Sequence, residues 1–599
     1  MKAADSGATD AAETEPPPST PRAPCGAALP EGGGILGPIV VELAFTDPTA
    51  AEGLTRLAAW RDAAAAGAAA TGGPDTPRKR RPPPAAVALA WQDTASGALA
   101  RRGLALEVPR RGPRVLWRIL PDPGAPWRPG LPPEWIAVLD PAEAATLPDL
   151  AGFDSEERKA PLLPLAAFEG HRARFALAAR DAAPGAPPSP PVAAELLTGR
   201  LRAVAAERAV ARLTLAGPAE PVLALARALA AELPLLPPPA ALAEEARALA
   251  LGEPVRPRRT GPPLLAAAPD ARAGLGLALG HLAESLLFHA QFARAGAGPE
   301  GVHQMRVALR RMRSVLRLFR PVATDEEAAA LHAFAARLKA LASTLGPARD
   351  WDVFLGGFGA DLAAMLPEEP RLAALLRAAR SRRAEAYTTL RQVLDGPEFR
   401  VLACDAIALA LRFGAPEAPP DPAASPRRAA AQQRTDETLP ATAREPLDRF
   451  AAAALDRRWR KLRARGEAMS ASLEDDALHA LRLEGKRMRY AAEIFAPLWP
   501  GKASRRFVRR LAALQEALGL ANDAATARRL VAGLDARLAA AQDAGPGGKA
   551  GRLDGRRRAG DWAIGLVEGF ALARARRVRK RALRAWEALL RRAPFWERD

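Results

Sequence analysis

Cysteine is nearly absent from this 599-residue chain, which contains only Cys25 and Cys404. Because the two lie far apart in the sequence, neither a disulfide framework nor a cysteine zinc cluster is available. Long hydrophobic runs are missing too, since no uninterrupted apolar stretch reaches the roughly 18 residues of a membrane-spanning helix. Residues 1–34 lack the basic and apolar regions of a secretory signal. We therefore expect a disordered tail over residues 1–34 and a cytoplasmic protein.

Negative charge is scarce in only one part of the chain. Residues 1–269 carry 29 Lys and Arg against 29 Asp and Glu, whereas residues 270–599 carry 57 against 38. The whole formal net charge of +19 therefore belongs to the C-terminal part. A basic domain beside a neutral one predicts a polyanionic partner for the basic domain, whether nucleic acid, polyphosphate or an anionic surface.

The C-terminal part contains a phrase that occurs twice, at residues 303–321 and again at residues 479–497, with a constant offset of 176. The recurring residues of the first copy are His303, Arg306, Arg310, Arg311, Arg313, Phe319 and Pro321. Their counterparts in the second copy are His479, Arg482, Lys486, Arg487, Arg489, Phe495 and Pro497. A second phrase at residues 338–350 recurs at 511–523. Repetition on this scale indicates an internal duplication.

The repeated phrase has the periodicity of a helix with one cationic face. At about 100° per residue, His303, Arg306, Arg310 and Arg313 fall within an arc of roughly 80°, and the apolar residues fall on the opposite side. No carboxylate lies between His303 and Arg320. A solvated surface helix usually intersperses acidic residues at i,i+4. The phrase therefore predicts a face that repels itself unless an anion neutralises it.

Residues 35–270 mix strand-like and helical segments, whereas the chain from residue 271 onward is almost wholly helical in pattern. Strands are predicted at 35–45, 86–91, 103–108 and 114–120, and a helix at 222–232. Further helices are predicted around 272–295, 299–320, 325–345, 351–365, 371–394, 397–413, 446–468, 473–497, 502–518, 522–543 and 559–592. Gly346 and Gly519 fit helix C-caps, where a left-handed residue ends the helix.

The helical phrases resemble the CHAD family, the conserved histidine α-helical domain. The resemblance rests on His-x-x-Arg-x-x-x-Arg-Arg-x-Arg at 303–313 and His-x-x-Arg-x-x-x-Lys-Arg-Met-Arg-Tyr at 479–490. It also includes Leu-Gly-Pro-Ala-Arg-Asp-Trp-Asp at 345–352, Leu-Gln-Glu-Ala-Leu-Gly-Leu-Ala-Asn-Asp at 514–523 and Pro-Phe-Trp at 594–596. This resemblance implies a helical domain that binds inorganic polyphosphate and brings proteins to intracellular polyphosphate granules.

The N-terminal part resembles a degenerate CYTH domain, a β-tunnel fold of triphosphate-processing enzymes. The opening Glu-x-Glu-x-Lys strand of that family corresponds to residues 40–44, which keep Glu42 but lose the lysine. Further on, Glu107 and Pro109 stand where the family has a Leu-Arg-x-Arg pair. Metal-dependent phosphoryl transfer needs carboxylates for Mg²⁺ or Mn²⁺ and cations for the phosphates. The loss of both kinds of residue favours a binding protein without a cofactor over an enzyme.

The sequence thus predicts a multidomain α+β protein in which a β-rich, tunnel-like CYTH domain precedes a duplicated all-α CHAD bundle with pseudo-two-fold symmetry. We assign residues 35–252 to the CYTH-like domain, 253–270 to a linker and 271–599 to the CHAD domain. The halves of the CHAD domain are 271–413 and 441–599, joined by a Pro-rich linker at 414–440. The expected polyphosphate-binding residues are His303, Arg306, Arg310, Arg313, His479, Arg482, Lys486 and Arg489. Because Lys486 replaces an arginine and Glu484 intrudes in the second copy, we expect the first copy to bind more strongly.

Two other functions stay open from the sequence. The first is a metal-dependent inorganic triphosphatase, which would use Mg²⁺ or Mn²⁺ with Glu42 while the helical part collects substrate. The second is nucleic-acid binding, although the basic domain has few exposed-aromatic candidates for base stacking and no recognised nucleic-acid motif. His303 and His479 have no ligand residue at metal-binding spacing. An anion contact is the favoured interpretation of both, ahead of a structural helix-packing role and of a metal or acid–base role.

Further basic residues extend the positive charge without defining a site. They include Arg457, Arg458, Lys461 and Arg465 around Trp459. A solvated surface explains each of them as well as contact with a ligand does.

Overall fold

A computed structural model describes residues 38–58, 60–62, 64, 84–109, 117–121, 127–129, 137–139, 154–177, 192–257, 261–296, 298–414, 439–472, 475–543, 561–562, 565–567, 569–570, 580–591 and 593–597. The predicted tail at 1–34 and most of the predicted Pro-rich linker lie outside these residues. The described residues form a β-rich N-terminal region and a helical C-terminal region, as the sequence predicts. None of their helices combines the length and the apolar composition needed to cross a membrane.

The N-terminal region is built on one antiparallel sheet of ten strands. The strands are β1 Pro38–Phe45, β2 Ala85–Thr94, β3 Leu104–Pro109, β4 Trp117–Pro121, β5 Trp127–Pro129, β6 Ala137–Leu139, β7 Leu162–Leu177, β8 Val192–Arg202, β9 Glu207–Pro218 and β10 Leu235–Leu236. Their order is β10-β1-β9-β8-β7-β2-β3-β4-β6, and β5 pairs with β1 beside β10. Two short helices, α1 Ala98–Arg101 and α2 Ser155–Lys159, connect strands within it.

Two longer helices, α3 Ala219–Glu232 and α4 Leu242–Leu251, pack against opposite faces of the sheet. Successive side chains of a strand point to opposite faces. On β9, Leu213 joins the core beneath α3, while Val210 packs with Ala246 of α4. The face of β1 that carries Glu42 is therefore the face that α4 covers.

The C-terminal region is a bundle of long helices. They are α5 Ala271–Ala295, α6 Pro299–Leu318, α7 Asp325–Gly356, α8 Phe358–Met365, α9 Pro370–Asp395, α10 Pro397–Gly414, α11 Leu447–Ser472, α12 Asp475–Phe495 and α13 Lys502–Asp543. A further helical stretch follows at 580–590.

The predicted helix ends at Gly346 and Gly519 are wrong, because α7 and α13 each run through the glycine without a break. Beyond these positions the two helices bury apolar residues in one shared cluster, in which Trp351 and Phe354 of α7 join Val531 of α13. This burial outweighs the roughly 3 kcal/mol that a proline such as Pro347 costs inside a helix. Tertiary packing has overridden the local signal for a helix end.

Helix α10 is the element that joins the two regions, because all of its residues from Phe399 to Phe413 are buried. It packs against α5 on one side and against α3, from the sheet region, on another. The approach to α5 is so close that a Cβ on Gly276 would collide with the backbone nitrogen of Gly414. One hydrophobic core therefore extends from β1 and α3 through α10 into the bundle.

Polar contacts along α10 fix this junction. Asp405, only 1% exposed, accepts a hydrogen bond from Nε of Arg227 on α3 at 3.0 Å and also pairs with Arg337 of α7. Arg400 donates to the carbonyl oxygen of Ala230, near the end of α3, at 2.7 Å. Because a buried carboxylate needs partners, the charges of Asp405 and its arginines hold α3, α7 and α10 together.

We expect Asp405→Ala to lower the free energy of unfolding by about 2 kcal/mol, because it leaves two arginines without their buried partner. Urea unfolding followed by circular dichroism measures the change. The control is Glu232→Gln at the exposed end of α3, which should change stability by less than about 0.5 kcal/mol. An unchanged unfolding free energy for Asp405→Ala would show that the junction does not depend on this carboxylate.

Candidate functional site

The first repeated phrase lies on α6 and the second on α12. On α6 the apolar residues Met305, Leu309 and Met312 are fully buried in the core. His303, Arg306, Arg310 and Arg313 are partly exposed, on the other side of the helix. This is the amphipathic arrangement that the periodicity of the phrase predicts.

Three of the predicted residues gather in a first cationic cluster, which comprises His303, Arg306, Arg310 and, from α7, Arg349. Partial burial lowers the pKa of His303, and the charges of Arg349, Arg310 and Arg306 lower it further against an opposing effect of Glu300. Burial likewise lowers the pKa of Arg306, and the charge of Arg310 lowers it further. The cluster is thus a place where positive charge is crowded and partly removed from water.

Arg306 and Arg310 make the contacts that position the cluster between helices. Nη1 of Arg306 donates to the carbonyl oxygen of Ala342 on α7 at 2.9 Å. The guanidinium of Arg310 lies 6.0 Å from the ring centroid of Tyr490 on α12. Nε of Arg310 is buried and, among the described residues, has no hydrogen-bond partner. Arg310 therefore retains a donor that a ligand oxygen would satisfy.

A second cationic cluster forms at the C-terminal end of α6. It comprises Arg313 and Arg317 of α6, Arg457 and Arg458 of α11, and Arg487 of α12. Burial lowers the pKa of Arg317, and Arg487 and Arg313 lower it further. Burial also lowers the pKa of Arg458, and the charges of Arg317 and Arg487 lower it further. For both arginines, Glu484 acts in the opposite direction.

Sequence reasoning missed Arg317, although a signal for it was present. It continues the alternating spacing of three and four residues that runs from His303 through Arg306, Arg310 and Arg313. Helical residues at this spacing share a face. Arg457 and Arg458 gave no such signal, because only the packing of α11 beside α6 brings them to the site.

Two grooves border the second cationic cluster. The larger, about 880 Å³, runs between α6 and α7 and is lined by Arg313, Arg317, Arg320, Asp325, His332 and Lys339 among other residues. The smaller, about 170 Å³, lies between α6 and α11 beside Arg317, Arg457, Arg458 and Lys461. Arg317 lines both grooves, so it stands at the centre of an extended basic surface.

The second copy of the phrase is more strongly neutralised by carboxylates than the first. Nε of Arg489 lies 2.6 Å from Glu493, whose other oxygen is 2.6 Å from Nη2 of Arg311. Arg487 pairs with Glu484. These carboxylates occupy part of the cationic face that the sequence analysis assigned to a ligand.

The remaining predicted residues of the second copy also lie on α12. Arg482 and Lys486 are half-buried, and the carbonyl oxygen of Arg482 accepts a hydrogen bond from Gln515 at 3.2 Å. His479 is exposed near the beginning of the helix and, within the described residues, forms no hydrogen bond or ion pair. Arg487 of the second copy therefore lies near Arg317 of α6, whereas His479 takes no part in the cationic clusters.

In the sheet region, Glu42 is the carboxylate on which the enzymatic alternative depends. It lies 3.0 Å from Nη1 of the buried Arg212, and Nη2 of Arg212 lies 2.7 Å from Glu245 of α4. Across the described residues, His, Cys, Asp and Glu side chains form no group of three or more that is arranged to hold a metal ion. Glu42 is thus part of an ion-pair network that links β1, β9 and α4.

Residues 277–532 match the family described as the CHAD domain, which confirms the resemblance for this part of the chain. The chain is also similar to the crystal structure of the CHAD domain from the plant Ricinus communis, at 25% identity over 56% of this chain and 98% of that one, with a TM-score of 0.35. Another similar structure is PptA from Streptomyces chartreusis, at 18% identity over 53% of this chain and 100% of that one, with a TM-score of 0.34. No curated protein matches the chain. The assignment of the domain rests on the family match.

We expect the imidazole of His303 to titrate below the ordinary value of about 6.5 in an NMR pH titration of the full chain. The unfolded chain then binds the additional proton more readily, so stability falls as the pH drops below about 6.5. Removing a neighbouring charge with Arg349→Gln should raise the pKa of His303 toward its ordinary value. His303→Asn identifies the resonance. A midpoint above 6.5, or one that Arg349→Gln leaves unchanged, would contradict the crowding of charge around His303.

Proposed function

Since residues 277–532 match the CHAD domain family, we propose that this protein binds inorganic polyphosphate and associates with polyphosphate granules. The observation that carries the proposal is the continuous basic surface along α6. It begins at His303, passes Arg306 and Arg310, and reaches Arg317 without a carboxylate on that helix after Glu300. Guanidinium groups bind phosphate oxygens in a fork, and several in a row suit a chain of phosphates.

Electrostatic crowding explains why the ligand would be a polyanion. Burial and neighbouring cations lower the pKa of His303, Arg306, Arg317 and Arg458. An anion bound between these groups replaces repulsion by attraction, in a partly buried site where charge interactions are stronger than in water. The neutral imidazole of His303 donates one hydrogen bond to a phosphate oxygen without transferring a proton. Binding therefore requires no covalent step.

We further propose that the two halves of the bundle arose by duplication and combine their phrases in one groove. Phe319 and Phe495, which occupy matching positions of the two phrases, have ring centroids 5.6 Å apart. Arg310 of the first phrase lies over Tyr490 of the second. Because Glu484 and Glu493 neutralise arginines of the second phrase, the first copy contributes more to binding.

The same distribution of side chains favours polyphosphate over nucleic acid. Single-stranded nucleic acids are bound by aromatic platforms on which the bases stack. Among the described residues, the exposed large hydrophobic side chains are Leu, Val and Met, with no aromatic residue among them. Tyr490 is only partly exposed and lies beneath Arg310. A surface of arginine and histidine without stacking platforms fits a polyanion that has no bases.

For the N-terminal region we propose a degenerate CYTH domain that serves as a scaffold. Strands β5 and β6 follow each other in the chain, but β5 pairs with β1 near one end of the sheet and β6 pairs with β4 at the other end. This pairing favours a curved sheet of tunnel-like origin. Glu42 is engaged by Arg212, and α4 packs over that face of the sheet. These contacts favour a structural role over the alternative triphosphatase activity with Mg²⁺ or Mn²⁺.

Competition between long-chain polyphosphate and duplex DNA for the full chain tests the proposed ligand. The full chain is used because α3 and α10 share one core. Polyphosphate should displace a labelled DNA duplex, whereas excess DNA should not displace polyphosphate. By analogy with counterion release, raising NaCl from about 50 to 200 mM should weaken polyphosphate binding more than about a hundredfold. Displacement of polyphosphate by DNA would overturn the proposal.

Single charge-removing variants test the assigned surface by isothermal titration with polyphosphate. Arg313→Gln and Arg317→Gln should each weaken binding about tenfold, because each removes a charge-assisted contact. Arg489→Gln should have a smaller effect, since Glu493 already neutralises Arg489. Arg463→Gln is the matched control, because Arg463 is an exposed arginine of α11 that pairs with Glu467. Equal effects at Arg317 and Arg463 would mean that binding depends on net charge alone.

A further inference from the structure

A cavity of about 450 Å³ lies between the sheet and the helical bundle, lined by different residues from those of the cationic clusters. Residues of β9, residues 237–239, α5 and the adjoining ends of α9 and α10 line it. Cavities that bind small molecules in proteins typically measure about 300–1,000 Å³ and occur often where two structural units meet. Both its size and its position are therefore those of a ligand site.

The cavity exists because β1 is shorter than its neighbour. Strand β1 ends at Phe45 and pairs with β9 only as far as the partners Ala44 and Arg212, so residues 208–211 of β9 extend beyond it. On the other edge of β1, β10 ends at Leu236 and three prolines follow at 237–239. Proline has no N–H group to continue a strand pairing. The sheet thus opens at this end, and α5 of the bundle covers the gap.

The inner wall of the cavity combines apolar side chains with the buried ion pair of Arg212 and Glu245. Leu287, Ala290, Leu394 and Phe399 line it and are all buried. Two buried nitrogen atoms of the lining residues, Nε of Arg212 and Nε2 of Gln291, have no hydrogen-bond partner among the described residues. A buried donor without an acceptor is costly, so a ligand oxygen beside either nitrogen would be stabilised.

The more exposed lining residues of the cavity include two arginines. The side chains of Arg208 and Arg294 are 48% and 40% exposed. Arg208 lies 2.7 Å from Glu245, and Arg294 lies 2.5 Å from Asp395. The Arg294–Asp395 pair is exposed on both sides and contributes little to stability, so a ligand anion replaces Asp395 at small cost. Glu245 is only 11% exposed and also pairs with the buried Arg212, so a ligand anion shares Arg208 with it. The exposed side of the cavity, where Arg208 and Arg294 lie, therefore favours a negatively charged group.

We propose that this cavity binds a small organic anion, with its apolar body against Leu287 and Phe399 and its carboxylate or sulfonate group at Arg208 and Arg294. The apolar wall selects the body, and the two arginines select the charge. This site differs from the polyphosphate surface in both position and ligand chemistry. Its occupancy therefore does not depend on the proposed function.

Fluorescence titration of the full chain with 8-anilinonaphthalene-1-sulfonate tests the site, because this probe joins an apolar body to one anionic group. Binding should saturate at one probe per chain. Ala209→Trp should weaken it about tenfold by filling the cavity from an exposed position of β9. Ala206→Trp, in the adjacent turn and outside the cavity, should leave it unchanged. Equal probe affinity in the two variants would overturn the proposal.

A neutral probe tests the apolar wall of the cavity separately from its two arginines. N-phenyl-1-naphthylamine has the same apolar body without the sulfonate group. The double variant Arg208→Gln, Arg294→Gln should weaken binding of the sulfonate probe about tenfold and leave the neutral probe unchanged. Saturating polyphosphate should displace neither probe from the cavity. An equal loss for both probes, or displacement of the sulfonate probe by polyphosphate, would overturn the assignment.

Discussion

The burial of α10 is the constraint on which the rest of the structure depends. A helix that is apolar on all sides needs neighbours on all sides, and here α3 of the sheet region supplies one of them while α5 supplies another. The buried polar residues of α10 are Arg400, Asp405 and Arg412, and groups of α3 and α7 pair with them. The sheet and the bundle are consequently halves of one core, and the N-terminal region has a structural reason to persist whether or not it binds a ligand.

The cationic surface lies on helices other than α10, along α6 and its neighbours α7 and α11. Helix α6 buries Met305, Leu309 and Met312 and places its arginines near Arg349 of α7 and Arg458 of α11. Partly buried cations that repel one another are unfavourable in the free protein and favourable when an anion joins them. The same side chains that reduce the stability of the bundle would then provide the affinity for the polyanion that we propose as the ligand.

Local sequence is a good guide to the site where the relevant residues share one helix, and a poor one elsewhere. The spacing of His303, Arg306 and Arg310 is enough to place them on one face, since helical geometry relates sequence separation to angle. Arg458 has no such relation to them, because the contact between α6 and α11 joins distant parts of the chain. The carboxylate of Glu493 escapes sequence reasoning for a similar reason: its second partner, Arg311, lies 182 residues away.

The sequence by itself determined the helical nature of the C-terminal region, its CHAD resemblance and the cationic face of α6, because periodicity and charge are local properties. It placed helix ends at Gly346 and Gly519, and these were wrong because the continuing helices bury Trp351 and Val531 against a common cluster. Only the tertiary structure decided that α10 lies between the sheet and the bundle, which arginines surround Arg317, and that a cavity opens beyond the end of β1. Each of these depends on contacts between residues far apart in the chain, whose energies no local pattern contains.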